Sequence, residues 1–253
     1  MPVIKVNNRD VHIQELNKGA AETVLLVHGM FSNLSVYYFN IAPVLAEHFH
    51  VVMYDLKSHG MSERVLDGYD LDSMTDDLYA LMDVLNLDKV HLAGYSFGGL
   101  IALKMAMRFP QKLRKLVIIE APDPSDARTR GIIEEYSREF LEHYVANFTD
   151  TTKVKMGKRQ MERNHRMYEY LFYQTSIKQD MIRESGFFKE TEINAVKKDT
   201  LLLYGASSNC LQAGKQLNKM IHRSDLIPLE GDHNIPIQEP VMIAEIVSSF
   251  FKN

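Results

Sequence analysis

Residues 94–99 read GYSFGG, with Ser96 set between Gly94 and Gly98. The residues before them, KVHLA, form a short strand-like stretch, and the residues after them, LIALKMAMR, repeat apolar side chains at helical spacing. The stretch therefore predicts a strand, a sharp turn at Ser96 and then a helix. A G-x-S-x-G turn in this setting is typical of a serine whose hydroxyl is presented at the carboxyl edge of a parallel sheet.

Strand-like and helix-like segments alternate on both sides of this turn. Runs of about five β-branched and leucine residues suit parallel strands that are buried on both faces. The predicted strands are TVLLVHG, HVVMYD, KVHLAGYS, KLVIIEA, TLLLYG and SDLIPLE, and the predicted helices include residues 36–48, residues 211–220 and the closing VMIAEIVSSFFK. The sequence therefore predicts an α/β fold with a doubly wound, mostly parallel sheet.

The alternation stops between Pro122 and Ala195. Long helical patterns such as TRGIIEEYSREFLEHYVANF occupy this segment, and no core strand is evident in it. We predict one core built from residues 1–121 and 196–253, with residues 122–195 inserted after the sixth strand as a helical cap over the sheet.

Composition and charge exclude several classes of protein. The 253 residues are 45 % hydrophobic and 25 % charged, which matches a globular chain with a large core. A formal net charge of −4 argues against a nucleic-acid partner. The single cysteine, Cys210, excludes an intramolecular disulfide and favours a reducing, cytoplasmic compartment. No apolar run approaches the roughly 20 residues that span a bilayer, and the alternating N-terminus predicts a strand pair rather than an export signal.

Four motifs occur in a fixed order along the chain: HGMFSN at 28–33, YDLKSHGMS at 54–62, GYSFGG at 94–99 and GDHNIP at 231–236. Together they resemble the α/β-hydrolase superfamily across essentially the whole chain. The resemblance implies that Ser96 is the nucleophile, that His233 is the general base, and that the backbone N–H groups of Met30 and Phe97 form the oxyanion hole. A serine hydroxyl needs such a base, because it is a poor nucleophile until an imidazole accepts its proton.

The acid of the expected triad is displaced. Most relatives carry an aspartate three residues beyond the glycine that ends strand seven, but here Gly205 is followed by ASSNC, so that Ser208 occupies this position. Some relatives, including certain haloalkane dehalogenases, carry the acid instead in a Glu-Ala pair at the end of strand six. Glu120 and Ala121 match that pattern. We therefore predict that Glu120 is the triad acid.

Other ways of completing the site remain open. Asp123 or Asp126 could supply the carboxylate, although either residue could equally be the N-cap of a helix that begins near Arg128. Asn209 could orient the histidine without a charge. The chain could also have lost efficient turnover and act as a ligand-binding or accessory protein.

The predicted activity is that of a serine hydrolase which cleaves a carboxylic ester, a thioester or a lactone through an acyl-enzyme, with no cofactor and no metal. Hydrolysis of a C–C bond and acyl transfer are alternatives, because the same triad serves them. The aromatic stretch MYEYLFY at 167–173 and the 14 methionines favour an apolar acyl or aryl substrate. The candidate pocket residues are Phe31, Tyr95, Tyr168 and Phe172.

Overall fold

One sheet of eight strands organises the chain. The computed structural model describes residues 2–134, 138–152, 154, 157–188 and 190–253. The strands are β1 (Val3–Val6), β2 (Arg9–Leu16), β3 (Thr23–Val27), β4 (His50–Tyr54), β5 (Val90–Tyr95), β6 (Leu113–Ile119), β7 (Thr200–Gly205) and β8 (Ser224–Leu229). Their order in the sheet is β1-β2-β4-β3-β5-β6-β7-β8. The pairs β1/β2 and β2/β4 are antiparallel and all other pairs are parallel, so the predicted mostly parallel sheet is confirmed.

Helices cover both faces of this sheet, as the apolar runs require. They are α1 (Ser35–Tyr38), α2 (Ile41–Leu45), α3 (Leu71–Val84), α4 (Phe97–Arg108), α5 (Ala127–Glu134), α6 (Arg138–Thr152), α7 (Lys158–Gln174), α8 (Ile177–Arg183), α9 (Glu190–Ile193), α10 (Leu211–Met220), α11 (Ile235–Gln238) and α12 (Pro240–Lys252). Side chains of α3, α4 and α10 share a core with one face of the sheet, and those of α1, α2 and α12 share a core with the other.

Two details of the fold follow from proline chemistry. The single helix predicted over residues 36–48 is wrong, because α1 and α2 are separate. Pro43, in the first turn of α2, has no N–H to donate to the carbonyl of Phe39 and its ring crowds that carbonyl, so α1 does not continue into α2 as one helix. Pro228 lies within β8, and β8 is an edge strand, where the missing donor is tolerated.

The described residues between β6 and β7 lie mainly in helices. They include α5 to α9, and the residues Tyr168, Leu171 and Phe172 of α7 are buried in the core that also includes α4. Of the helices that the structure describes, none combines the length and the apolar character needed to cross a bilayer.

The carboxyl ends of β5, β6 and β7 meet at one edge of the sheet, and this edge carries the residues of the predicted site. The N–H of Ser96, just after β5, donates to the carbonyl of Ile119 over 2.8 Å. The N–H of Glu120, just after β6, donates to the carbonyl of Leu203 over 3.0 Å. Backbone hydrogen bonds therefore fix Ser96, Glu120 and the end of β7 side by side.

Candidate active site

The turn between β5 and α4 holds Ser96 in a strained conformation. Its φ is +53° and its ψ is −118°, a region that a residue with a Cβ rarely adopts. The turn is possible because of its glycines: a Cβ on Gly94 would lie 2.2 Å from the carbonyl oxygen of Gly98, and a Cβ on Gly98 would lie 2.3 Å from that of Val27. The geometry is that of the sharp strand-to-helix turn that the sequence predicts.

His233 reaches Ser96 from the loop after β8. Its Nε2 lies 3.1 Å from the Ser96 Oγ. The hydroxyl of Tyr95 donates to the His233 carbonyl oxygen over 3.0 Å and so anchors the loop to the end of β5. Gly205 allows the loop to cross the tip of β7, because a Cβ there would lie 2.5 Å from the carbonyl oxygen of Gly231. Contacts with the ends of β5 and β7 therefore determine where the imidazole of His233 lies.

Glu120 is fully buried behind the imidazole. Its Oε2 accepts a hydrogen bond from the Nδ1 of His233 over 2.9 Å. Its Oε1 accepts a hydrogen bond from the N–H of Gly205 over 2.5 Å. The φ of Glu120 is +56°, so the chain turns sharply at the tip of β6 and directs this side chain toward the histidine. Ser96, His233 and Glu120 thus form one continuous hydrogen-bonded chain.

Ser208 makes contacts that the sequence does not predict. Its hydroxyl donates to Oε2 of Glu120 over 2.5 Å, and its Oγ accepts the N–H of Cys210 over 3.0 Å. The Sγ of Cys210 also lies 3.5 Å from Nδ1 of His233. The signal was the position of Ser208, three residues beyond Gly205, where most relatives place their acid.

The alternative acids take part in other interactions. Asp123 accepts the hydroxyl of Ser125 over 2.7 Å. Asp126 accepts the N–H of Thr129 over 3.0 Å, in the first turn of α5, which is the N-cap role considered from the sequence. Asn209 accepts the guanidinium of Arg128 over 2.5 Å.

The charge state of His233 is set by opposing effects. Burial of the ring lowers its pKa, whereas the hydrogen bonds and charges of Cys210 and Glu120 raise it, and the net effect is a pKa above the usual 6.5. The surroundings therefore favour the imidazolium, which is the form that the histidine takes after it accepts a proton.

The resemblance assigns the oxyanion hole to the backbone N–H groups of Phe97 and Met30. Phe97 is the first residue of α4, where the N–H groups have no acceptor within the helix. Met30 follows Gly29, and a Cβ on Gly29 would lie 2.8 Å from the Cβ of Ser96. The loop after β3 therefore passes directly beside the serine.

Three of the four candidate pocket residues form an aromatic cluster next to this loop. The ring of Phe31 lies 4.7 Å from that of Tyr168 in an edge-to-face arrangement and 5.6 Å from that of Phe172 in a stacked one. The hydroxyl of Tyr168 donates to the Phe31 carbonyl oxygen over 2.9 Å, so α7 is tied to the loop that carries Met30. The fourth candidate, Tyr95, is buried beneath His233.

Comparison with known proteins agrees with this architecture. A family model described as the alpha/beta hydrolase fold matches residues 22–170, which is more than half of the chain. The chain belongs to the α/β-hydrolase fold family. The recognition made from the four motifs is therefore confirmed.

Relatives of this α/β-hydrolase include proteins named as hydrolases. It is 25 % identical over 249 residues to the AB hydrolase superfamily protein YisY of Bacillus subtilis, covering 92 % of both chains. It is 34 % identical over 117 residues to a 2-hydroxy-6-oxo-2,4-heptadienoate hydrolase of Pseudomonas putida, and this match covers 45 % of the chain and 42 % of that protein. The enol-lactonase of Burkholderia xenovorans LB400 shares the fold, with a TM-score of 0.77 and 20 % identity over the full length of both chains.

The histidines of the first and second motifs support the loops of this α/β-hydrolase. His28 is fully buried, and its Nε2 accepts the N–H of Leu56 over 3.0 Å. His59 is buried beside it, with ring centroids 5.4 Å apart. Burial lowers the pKa of His28 and lowers that of His59 to about 4, so both rings are neutral at pH 7.

Among the described residues, one group of possible metal ligands is compact enough to hold an ion. It consists of Glu120, Cys210 and His233, whose ligand atoms lie within 4.8 Å of one another. In this α/β-hydrolase the Nδ1 of His233 and the carboxylate of Glu120 already bind each other. Their proximity is therefore explained without an ion.

Proposed function

We propose that this protein is a serine hydrolase that cleaves a carboxylic ester, a thioester or a lactone through an acyl-enzyme. The observation that carries the proposal is the chain of hydrogen bonds from Ser96 through His233 to Glu120. It supplies a nucleophile, a base and a buried charge in the order that acyl transfer requires.

In the proposed cycle, Oγ of Ser96 attacks the acyl carbon while Nε2 of His233 takes its proton. The N–H groups of Met30 and Phe97 hold the oxyanion, and Glu120 stabilises the imidazolium through Nδ1. The imidazolium then protonates the leaving group. Water, deprotonated by the same histidine, attacks the acyl-enzyme and releases the acid.

The aromatic cluster supports an apolar acyl or aryl group as the part of the substrate next to Ser96. Phe31 is part of the loop that carries Met30, and Tyr168 and Phe172 approach it from α7. We propose that residues 122–195 act as a cap, so that α7 brings one wall of the pocket to the sheet edge.

A second candidate function is hydrolysis of a C–C bond next to a carbonyl. The match of 34 % identity to a 2-hydroxy-6-oxo-2,4-heptadienoate hydrolase supports it. A ligand-binding protein without turnover is disfavoured, because the displaced acid is within hydrogen-bonding distance of the histidine.

The proposal is tested by hydrolysis of p-nitrophenyl esters from acetate to decanoate and by labelling with a fluorophosphonate. We expect wild type to turn over the esters and to be labelled rapidly. The Ser96→Ala variant, folded by circular dichroism, should do neither. Wild type that is inert toward esters but cleaves a 2-hydroxy-6-oxo-dienoate would favour the second candidate. An active Ser96→Ala variant would contradict both.

A further inference from the structure

The hydroxyl of Ser208 occupies the place beyond β7 from which an acid would reach the histidine. The residue is buried and lies three positions beyond Gly205, at the start of the turn that leads into α10. Instead of contributing a second carboxylate, it donates to the carboxylate that comes from β6, over 2.5 Å to Oε2 of Glu120.

The carboxylate and a neighbouring amide together fix the direction of this hydrogen bond. Oγ of Ser208 accepts the N–H of Cys210 over 3.0 Å, which uses one of its lone pairs. The backbone N–H of Ser208 donates to the carbonyl of Gly205 over 3.0 Å and closes the turn. The side chain is thereby held with its proton toward Glu120, and a carboxylate offers only acceptors in return.

The two oxygens of the Glu120 carboxylate are fixed by different donors. Gly205 N–H holds Oε1, and Ser208 O–H holds Oε2, which is the oxygen that receives Nδ1–H of His233. A carboxylate with both oxygens held cannot rotate away from the imidazole. Because Glu120 has no exposed surface, these donors also replace the water that would otherwise solvate its charge.

We propose that Ser208 is a positioning residue, which acts through Glu120 to hold Oε2 on Nδ1 of His233. The proposal rests on the proposed function, because it assigns Ser208 a part in that reaction. It also makes a claim about the Glu120–His233 hydrogen bond that can be measured without any substrate.

The test compares Ser208→Ala and Ser208→Cys with the matched control Ser207→Ala. Ser207 is the adjacent residue and also bears a hydroxyl, but it is exposed and donates to the carbonyl of Gly231 over 2.6 Å. Ser208→Cys keeps the size of the side chain and replaces a strong donor by a weak one, so it tests the same point where the alanine variant does not fold. Wild type and the three variants are all measured in the presence of a phosphine reductant.

The first readout is steady-state hydrolysis of a p-nitrophenyl ester. We expect Ser208→Ala to lower kcat about ten- to a hundredfold, the value of one hydrogen bond to a charged group, while KM stays near that of wild type. The kcat of Ser208→Cys should lie between those of wild type and Ser208→Ala, and the kcat of Ser207→Ala should match that of wild type. Wild-type kcat in Ser208→Cys or Ser208→Ala would overturn the proposal.

The second readout is the proton NMR resonance of Nδ1–H of His233, which is strongly deshielded in a short hydrogen bond to a carboxylate. We expect it to move upfield in Ser208→Ala and Ser208→Cys but not in Ser207→Ala. An unchanged resonance in both Ser208 variants would overturn the proposal. If wild type hydrolyses no ester, thioester or lactone but the resonance still moves, the proposed function is wrong and the positioning of Glu120 by Ser208 stands.

Discussion

Replacing Glu120 by glutamine removes the negative charge at the buried end of the Ser96–His233–Glu120 chain and keeps nearly the same shape. The effect follows from the number of donors around the carboxylate. Oε1 accepts Gly205 N–H, and Oε2 accepts both Ser208 O–H and His233 Nδ1–H. A carboxylate accepts all three hydrogen bonds, whereas an amide has one oxygen and one NH₂ group.

Both orientations of the introduced side-chain amide disturb the site. With its oxygen toward His233, its NH₂ faces the N–H of Gly205, and this buried contact between two donors costs about 1–3 kcal/mol of stability. With its NH₂ toward His233, Nδ1 must become an acceptor, so Nε2 carries the proton and cannot take one from Ser96. Loss of the charge or the wrong tautomer at this position lowers kcat about 10⁴-fold, or about 5–6 kcal/mol in the activation barrier.

The assay is p-nitrophenyl ester hydrolysis by folded wild type, Glu120→Gln and the control Asp123→Asn at equal protein concentrations. We expect Glu120→Gln to lose about four orders of magnitude in kcat and Asp123→Asn to keep the activity of wild type. A Glu120→Gln protein that retains a kcat close to that of wild type would refute the assignment of the acid. A large loss in Asp123→Asn alone would transfer the role to Asp123.

Three further expectations follow from the site and its supports. Tyr168→Phe should lower kcat by up to about tenfold in steady-state kinetics, because it loses the hydrogen bond that holds α7 to Phe31, the residue next to the proposed oxyanion-hole residue Met30. The kcat/KM should rise with pH through a midpoint above 6.5, since only neutral His233 accepts the serine proton and its pKa is raised; a midpoint below 6.5 would contradict this. Because the pKa of His59 is lowered to about 4, the free energy of unfolding should be highest above pH 6.5 and should fall by about 3 kcal/mol as the pH drops toward 4. Urea unfolding that shows the same pH dependence in His59→Gln would contradict this.

The fold was predictable from the sequence because buried parallel strands leave continuous apolar runs, and the glycine-bounded turn at Ser96 leaves a local motif. The bounds of α10, Leu211–Met220, agree with the helix expected over residues 211–220. The break between α1 and α2 was missed, although Pro43 signals it, because the apolar repeat continues across the break.

The nucleophile and base candidates could be named from short motifs, since each follows a strand in a recognisable turn. The acid could be predicted only by comparing two positions, the end of β6 and the third residue after β7, because a carboxylate at a strand end has no local sequence motif of its own. The contacts of Ser208 and Cys210 could not be predicted, since they join residues that are far apart in sequence and adjacent only through the sheet. Long-range hydrogen bonds of this kind depend on topology, which short motifs do not encode.

The topology also explains why an acid from β6 can serve a histidine that follows β8. The sheet order places β6 between β5 and β7, so the tip of β6 lies next to both the Ser96 turn and Gly205. The His233 loop crosses the tip of β7 at Gly205, which brings the imidazole within reach of either strand end. The positive φ of Glu120 directs its side chain, which is longer than that of an aspartate, across that gap. The N–H of Gly205 then donates a hydrogen bond to the carboxylate. A serine at position 208 then suits an acid that arrives from β6, because a second carboxylate there would repel Glu120, whereas a hydroxyl donates to it.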